Sequence, residues 1–271
     1  MHIKKFFLAF TLMAITTASC NHNAYKATNK VYSRQAKAYA KILKATPIGI
    51  DGKDKRQWIG TTNFNLRKPN FVIIHHTAQN SCDQTLRTFT LTRTQVSAHY
   101  VICKNGAIHH MLNDYLRAWH GGVAKWGSLN DINSLSIGIE LDNNGFEYFT
   151  GPQIGSLLRL LDTLKTKYNI PAANFIGHGD IAPSRKNDPN YRFPWQQLAT
   201  VGFGNWPGDT TGVILPGGFS NVQALRIIGY DVKDSTAAKL AFKRHYLADT
   251  TTGNINPGDQ KLLYSLMMKS Y

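Results

Sequence analysis

Two segments of the sequence end an apolar run abruptly on a histidine. Residues 71–74 lead directly to His75, residues 175–177 lead directly to His178, and Asp188 follows in a polar stretch. Two imidazoles and one carboxylate that leave a fourth position open form a ligand set of hydrolytic zinc sites. We therefore predict that His75, His178 and Asp188 bind one Zn²⁺ ion per chain.

Two further side chains are candidates for catalysis. Glu140 interrupts the apolar run of residues 134–141, and Lys186 lies two positions before Asp188. A carboxylate can act as general base towards an activated water, and a lysine can stabilise the charge that develops on a carbonyl oxygen. Either residue alone would pass for a solvated surface group. A carboxylate is unusual on so apolar a strand, however, which favours a catalytic interpretation of Glu140.

The elements that would position these groups alternate between strands and helices. Apolar runs and one Asn-Gly turn predict strands at residues 71–74, 99–103, 107–111, 134–141 and 174–177. Capping residues and apolar stripes predict helices at residues 82–93, 151–168 and 195–200. This order predicts an α/β domain over residues 69–206, with a mixed central β-sheet flanked by helices.

The character of the sequence changes after residue 206. Residues 207–219 are rich in glycine, proline and threonine and predict a linker. Residues 220–271 then show only helical periodicity, with helices predicted at residues 221–229, at residues 235–247 and from Pro257 to the end. We predict a small three-helix domain with its own apolar core.

The N-terminal residues predict export and a lipid anchor. Lys4 and Lys5 precede an apolar run that is too short to span a bilayer, and three small residues stand directly before Cys20. This pattern is typical of a lipoprotein signal peptide over residues 1–19, after which Cys20 carries the lipid. The alternative is an ordinary secretory signal peptide in which Cys20 stands at this position by chance. Residues 20–68, polar and rich in lysine, predict a lipidated N-terminus and tether without regular structure.

The expected location is the cell envelope. Asn21 follows the predicted lipidated cysteine, and sorting rules at this position differ between bacterial groups. The sequence therefore does not decide which membrane holds the protein. The location that we expect is the periplasmic face of the outer membrane.

An exported compartment permits disulfides, and Cys82 and Cys103 are predicted to be either bridged or two free buried thiols.

The chain carries a formal net charge of +15, with 31 basic and 16 acidic residues. Its basic residues are scattered and no nucleic-acid recognition motif accompanies them, so we predict no nucleic-acid partner. Attraction to lipid head groups, or to a wall glycan that carries acidic peptides, accounts better for the charge of an exported protein. We expect the protein to be a monomer.

These motifs resemble those of a known enzyme family. The segments 71–77, 136–140 and 177–189 are similar to zinc-dependent N-acetylmuramoyl-L-alanine amidases, the family that also includes peptidoglycan recognition proteins. The resemblance covers residues 70–200, and the segment around His178 is its most specific part. The order of predicted lipid anchor, catalytic domain, linker and helical wall-binding-like domain is most similar to the AmiD-type lipoprotein amidases.

The resemblance implies a role for each matched residue. His75, His178 and Asp188 match the zinc ligands, Glu140 matches the general base, and Lys186 matches its electrophilic helper, whereas His76 is not carried over. His120, in the segment Trp119-His120-Gly121-Gly122, matches a segment at the substrate cleft and is expected to contact substrate. One departure is Ala98 before His99, where phage-type relatives have a tyrosine; it favours the branch in which a glutamate is the base.

The resemblance also implies a reaction. The expected enzyme hydrolyses the amide between N-acetylmuramic acid, in its ordinary or anhydro form, and the first L-alanine of the stem peptide. The alternative is a non-catalytic peptidoglycan- or muropeptide-binding lipoprotein on the same fold, which would have lost a ligand or the base. A structural lipoprotein that only tethers membrane to wall would leave the predicted metal ligands unexplained.

Overall fold

The computed structural model describes residues 24–45, 61–63, 65–66 and 68–270. The chain divides into two units, residues 1–62 and residues 63–271. The predicted signal peptide and Cys20 lie outside the described residues. Within the part of the chain that the structure describes, no helix has the length and apolar character needed to cross a membrane.

The first unit contains one described helix, α1 (Lys26–Lys44). The expectation that regular structure is absent from this segment is corrected by α1, whereas its role as a tether stays a prediction. The segment contains alanine, lysine and glutamine, which favour helices, and neither glycine nor proline interrupts it. None of the residues of α1 is buried.

A five-stranded sheet forms the centre of the second unit. Its strands are β1 (Phe71–His76), β2 (Tyr100–Ile102), β3 (Ile108–His110), β4 (Ser136–Leu141) and β5 (Phe175–Gly177). The strand order is β3-β2-β4-β1-β5, and only the β2–β3 hairpin is antiparallel. The predicted mixed sheet is therefore confirmed. Because β1 lies between β4 and β5, the carboxyl ends of three parallel strands meet at one edge.

Helices cover the sheet and connect its strands. They are α2 (Cys82–Thr90), α3 (Ile132–Leu135), α4 (Gly151–Tyr168), α5 (His178–Ile181) and α6 (Trp195–Thr200). The Thr150 side chain caps α4 by accepting a hydrogen bond from the Gln153 backbone N–H. Apolar residues of α4 pack with β1 and β4 in the main core. The α2 helix is shorter than predicted, and α3 and α5, each about one turn, were not predicted.

The two cysteines are joined in a disulfide, with a Cα–Cα distance of 5.4 Å. Cys82 begins α2 and Cys103 directly follows β2, so the bridge fixes that helix against the sheet. Of the two alternatives left open by the sequence, the structure has the bridged form.

Asp114 links the sheet to α4 through its buried carboxylate. It accepts hydrogen bonds from the Tyr100 hydroxyl at 2.7 Å, the Tyr168 hydroxyl at 2.6 Å and the Lys167 ammonium group at 3.2 Å. Burial would raise the pKa of Asp114, but the hydrogen bonds from Tyr168, Tyr100 and Lys167 outweigh it and lower the pKa below its usual value.

We expect Asp114→Asn to reduce the free energy of unfolding by about 2 kcal/mol at neutral pH. A carboxyl with a lowered folded-state pKa stabilises the fold above its unfolded pKa and loses that contribution as pH falls through the folded value. The difference between variant and parent should therefore shrink below about pH 4. Urea unfolding across the pH range measures it; a difference that is constant with pH would contradict the argument.

The C-terminal helices are α7 (Asn221–Ile228), α8 (Ser235–Leu247) and α9 (Pro257–Met268). Leu225, Phe242, Leu263 and Leu266 close a core of their own, as predicted. Residues 207–219 contain no helix or strand. The helical group is not separate from the sheet, because α8 contacts α5 and α6.

Candidate metal centre

The sheet brings the three predicted ligands together. His75 lies near the carboxyl end of β1, and His178 is the first residue after the neighbouring strand β5. The two Nδ1 atoms are 2.9 Å apart, and each lies 3.0 Å from Oδ2 of Asp188. All three side chains are buried. Parallel pairing thus places donors that are far apart in sequence around one point.

The backbone fixes the tautomer of His178. Its Nε2 atom lies 3.1 Å from the carbonyl oxygen of Gly121, which can only accept a hydrogen bond. Nε2 must therefore carry the proton. In the neutral imidazole this leaves Nδ1 with a lone pair that faces His75 and Asp188.

A longer chain of hydrogen bonds fixes the tautomer of His75. The Ser136 hydroxyl donates to the Ile132 carbonyl at 2.6 Å, so its oxygen accepts from Nε2 of His120 at 3.2 Å. Nδ1 of His120 then accepts from Nε2 of His75 at 3.1 Å. Nδ1 of His75 is left with its lone pair towards His178, as a metal ligand requires.

The three predicted donor atoms therefore face one another at short distances. Burial, with the neighbouring His178, lowers the pKa of His75 to about 4, so this imidazole is neutral at pH 7. Burial would raise the pKa of Asp188, but the imidazoles of His178 and His75 outweigh it and hold the pKa well below its usual range. Two imidazole nitrogens and a carboxylate oxygen at this separation fit a divalent cation such as zinc.

Glu140 lies beside this group. β4 pairs with β1 so that Glu140 is opposite His75. Its Oε2 atom is buried and has no hydrogen-bond partner among the described residues, although the side chain as a whole is only half-buried. Burial, with the Asp188 carboxylate, raises the pKa of Glu140 to about 8. The charge of a divalent cation held by the three donors would oppose this shift and favour the carboxylate, whose buried and unpartnered oxygen could then accept a proton from a water molecule.

Lys186 is partly exposed and lies in the loop between α5 and Asp188. Its positive charge lowers the pKa of both His75 and Glu140. The Lys186 ammonium group is therefore close enough to the metal donors to stabilise negative charge that develops beside them.

Comparison with known proteins gives the family. Residues 65–191 match the family model described as N-acetylmuramoyl-L-alanine amidase. The chain is 33% identical to the N-acetylmuramoyl-L-alanine amidase AmiD of Escherichia coli in an alignment of length 229 that covers 73% of this chain and 82% of AmiD. The chain belongs to the N-acetylmuramoyl-L-alanine amidase family.

Other relatives and solved structures agree with this assignment. This amidase is 38% identical over 104 residues to the 1,6-anhydro-N-acetylmuramyl-L-alanine amidase AmpD of Haemophilus influenzae, covering 38% of the chain and 56% of AmpD. Its fold matches E. coli AmiD in complex with anhydro-N-acetylmuramic acid-L-Ala-D-γ-Glu-L-Lys, with a TM-score of 0.68 and 29% identity, covering 80% of this chain and 94% of AmiD. AmpDh3 of Pseudomonas aeruginosa with an anhydromuramic pentapeptide matches at a TM-score of 0.68 and 26% identity, covering 80% and 97%.

His120 of the amidase lies at the metal centre, and its expected contact with substrate stays a prediction. It is 9% exposed and stands behind His75, in edge-to-face contact with the ring of that predicted ligand. Gly138 makes room for it, because a Cβ at this position would lie 2.5 Å from Cγ of His120. This geometry favours a role in holding His75 in its metal-binding tautomer and orientation.

We expect His120→Ala to weaken zinc binding by about 10- to 100-fold, because His75 loses the acceptor that fixes its tautomer. Gly138→Ala, which displaces the His120 ring, should change zinc affinity in the same direction with all three ligands retained. Competition with a chromogenic chelator measures both, with His109→Ala on β3 as control. Parental zinc affinity in the first two variants would remove His120 from the support of the metal site.

Sequence reasoning missed the contribution of the C-terminal helices to the site. Asp180, in α5, is buried and accepts hydrogen bonds from the Gly177 backbone N–H at 2.7 Å, the Tyr230 hydroxyl at 2.8 Å and Nδ1 of His245 at 2.8 Å. The His245 ring stacks on Trp195, with ring centroids 3.9 Å apart.

Further contacts join the same two parts of the amidase. The Gly127 backbone N–H donates to the Gly229 carbonyl at 2.7 Å, and Trp126 packs edge-to-face on Tyr230. Trp126 therefore packs against the C-terminal helical group. Trp206 does so as well, because its ring lies against the ring of Tyr246. Trp58 lies outside the described residues.

A second group with metal-ligand chemistry lies at the disulfide. Sγ of Cys82, Sγ of Cys103 and a ring nitrogen of His109 are near one another. The sulfurs are bonded to each other and are not thiolates, so this group does not compete with the candidate metal centre.

Proposed function

We propose that the chain is a zinc-dependent amidase that hydrolyses the bond between N-acetylmuramic acid and L-alanine in peptidoglycan or muropeptides. The observation that carries this proposal is the convergence of three potential metal ligands beside the unpartnered carboxyl oxygen of Glu140. The solved relatives hold anhydromuramyl peptides, which supports a muropeptide substrate in the anhydro form as well.

The roles of the residues follow from their positions. His75, His178 and Asp188 would hold zinc, whose Lewis acidity activates a water and polarises a carbonyl. Glu140 accepts a proton from the attacking water and delivers it to the amine of L-alanine as the amide breaks. Lys186 stabilises the negative charge that develops on the carbonyl oxygen.

Product analysis tests the proposal against the non-catalytic alternative. The purified protein, supplied with zinc, is incubated with anhydromuramyl peptide, and the products are identified by mass. We expect free stem peptide with an L-alanine amino terminus together with the free sugar acid; a chelator should stop the reaction and added zinc should restore it. Muropeptide binding without these products would favour the receptor.

We further propose that the protein is a lipoprotein of the cell envelope, held by lipidated Cys20 on the periplasmic face of the outer membrane. The apolar run, the small residues and the cysteine at residues 6–20 support this proposal. Mass analysis of the protein from membrane fractions should show acyl chains on Cys20 and no residues before it. An unmodified chain, or one that begins elsewhere, would contradict the anchor.

A further inference from the structure

The basic residues of α1 form one narrow stripe. The six are Lys26, Lys30, Arg34, Lys37, Lys41 and Lys44, and the helix has no acidic residue. At about 100° per residue, all six fall within an arc of about 80° of the helix surface. Spacing of three or four residues throughout therefore concentrates six positive charges on one face.

The large apolar and aromatic side chains of α1 lie on the opposite side. Tyr32 and Tyr39 are separated by two turns, and Val31, Ile42 and Leu43 complete this face. Tyr39 is 52% exposed, Ile42 68% and Leu43 76%. The helix thus has a charged face and a mildly apolar, aromatic face, and it buries neither.

This combination favours a lipid surface as the partner. Cationic helices with an opposing apolar face bind in the plane of a bilayer interface, where anionic head groups neutralise the charges. Tyrosine is favoured at that depth because its ring is apolar and its hydroxyl stays hydrated. A wall polymer would neutralise the cations but would offer no apolar layer for Ile42, Leu43 and Tyr39.

We propose that α1 is a membrane-surface helix that binds anionic phospholipid. The inference goes beyond the proposed lipid anchor at Cys20 but agrees with it, because α1 begins six residues after that cysteine. An acyl anchor would keep the helix close to the bilayer, and the helix would add a second, salt-sensitive attachment.

Vesicle binding by the mature chain with Cys20→Ser tests this without the acyl anchor. Sedimentation should show binding to vesicles that contain phosphatidylglycerol, weakened by salt, and little binding to pure phosphatidylcholine. Replacing Lys30, Arg34, Lys37 and Lys41 with glutamine should weaken binding at least about tenfold, because these cations contact the head groups. Glutamine favours helices almost as well as lysine, so α1 should persist. Ile42→Ser with Leu43→Ser should also weaken binding.

A matched control removes the same charge elsewhere. Replacing Arg87, Arg93, Arg226 and Lys233, all exposed, with glutamine should leave vesicle binding within about twofold of the parent. Equal losses in both four-residue variants, no vesicle binding by the parent, or a loss seen only on purified peptidoglycan would each overturn the proposal. Hydrolysis of soluble muropeptide by the same variants reports on the proposed amidase activity separately.

Discussion

Replacement of Glu140 by glutamine should leave the zinc content at one ion per chain and reduce amide hydrolysis by about 10²- to 10⁴-fold. Glutamine keeps the size of the side chain beside His75 but cannot accept the proton of the attacking water. The three metal donors are untouched, because Glu140 forms none of the contacts among them. Elemental analysis gives the zinc content, and mass-resolved turnover of anhydromuramyl peptide gives the rate.

The chain offers a matched control, since its only other glutamate is Glu147. Glu147 forms a partly exposed ion pair with Lys104 at 2.7 Å, and such pairs contribute little to stability. Glu147→Gln should therefore keep turnover within about twofold of the parent. Near-parental turnover by Glu140→Gln would remove this residue from the mechanism, whereas loss of zinc from it would show that Glu140 supports the metal instead.

Replacement of Asp180 by alanine should give the largest loss of stability, about 3–5 kcal/mol in the free energy of unfolding. The change leaves the Tyr230 hydroxyl, the His245 imidazole N–H and the Gly177 backbone N–H buried without their acceptor. Because Gly177 directly precedes His178, zinc affinity should fall as well. Denaturant unfolding and chelator competition measure the two effects.

Two comparison variants make the Asp180 test specific. Asp162 is exposed on α4, so Asp162→Ala should change unfolding by no more than about 0.5 kcal/mol. Asp180→Asn retains one acceptor oxygen and should lie between the alanine variant and the parent. An unfolding free energy of Asp180→Ala within about 1 kcal/mol of the parent would show that the network contributes little.

Local patterns in the sequence were enough to predict the sheet and the convergence of the metal donors. Apolar runs ending at His75 and His178 predict neighbouring buried strands, and parallel strands that end together bring their last residues together. The Thr150 cap and the left-handed Asn169 bound α4 as predicted. The bounds of these elements depend on residues that are close together in the chain, which is why a single sequence reveals them, and the convergence follows from the general rule for the ends of parallel strands.

Contacts between distant segments could not be predicted in this way. The position of His120 behind His75 depends on the space left by Gly138, which no local pattern reports. His245 meets Asp180 only because α8 packs on α5. The α1 helix does not follow from the apolar pattern, because its regular spacing is carried by lysine and arginine and none of its residues is buried.

The hydrogen bonds of Asp180 limit how the C-terminal helices can be exchanged for those of another protein. Tyr230 and His245 of the C-terminal helices satisfy a carboxylate that also holds the residue before His178. A chimaera that exchanged these helices for a different domain would need to supply equivalent donors, or to replace Asp180 as well. In this chain the boundary near residue 207 is a change in sequence composition, not a place where the enzyme can be cut.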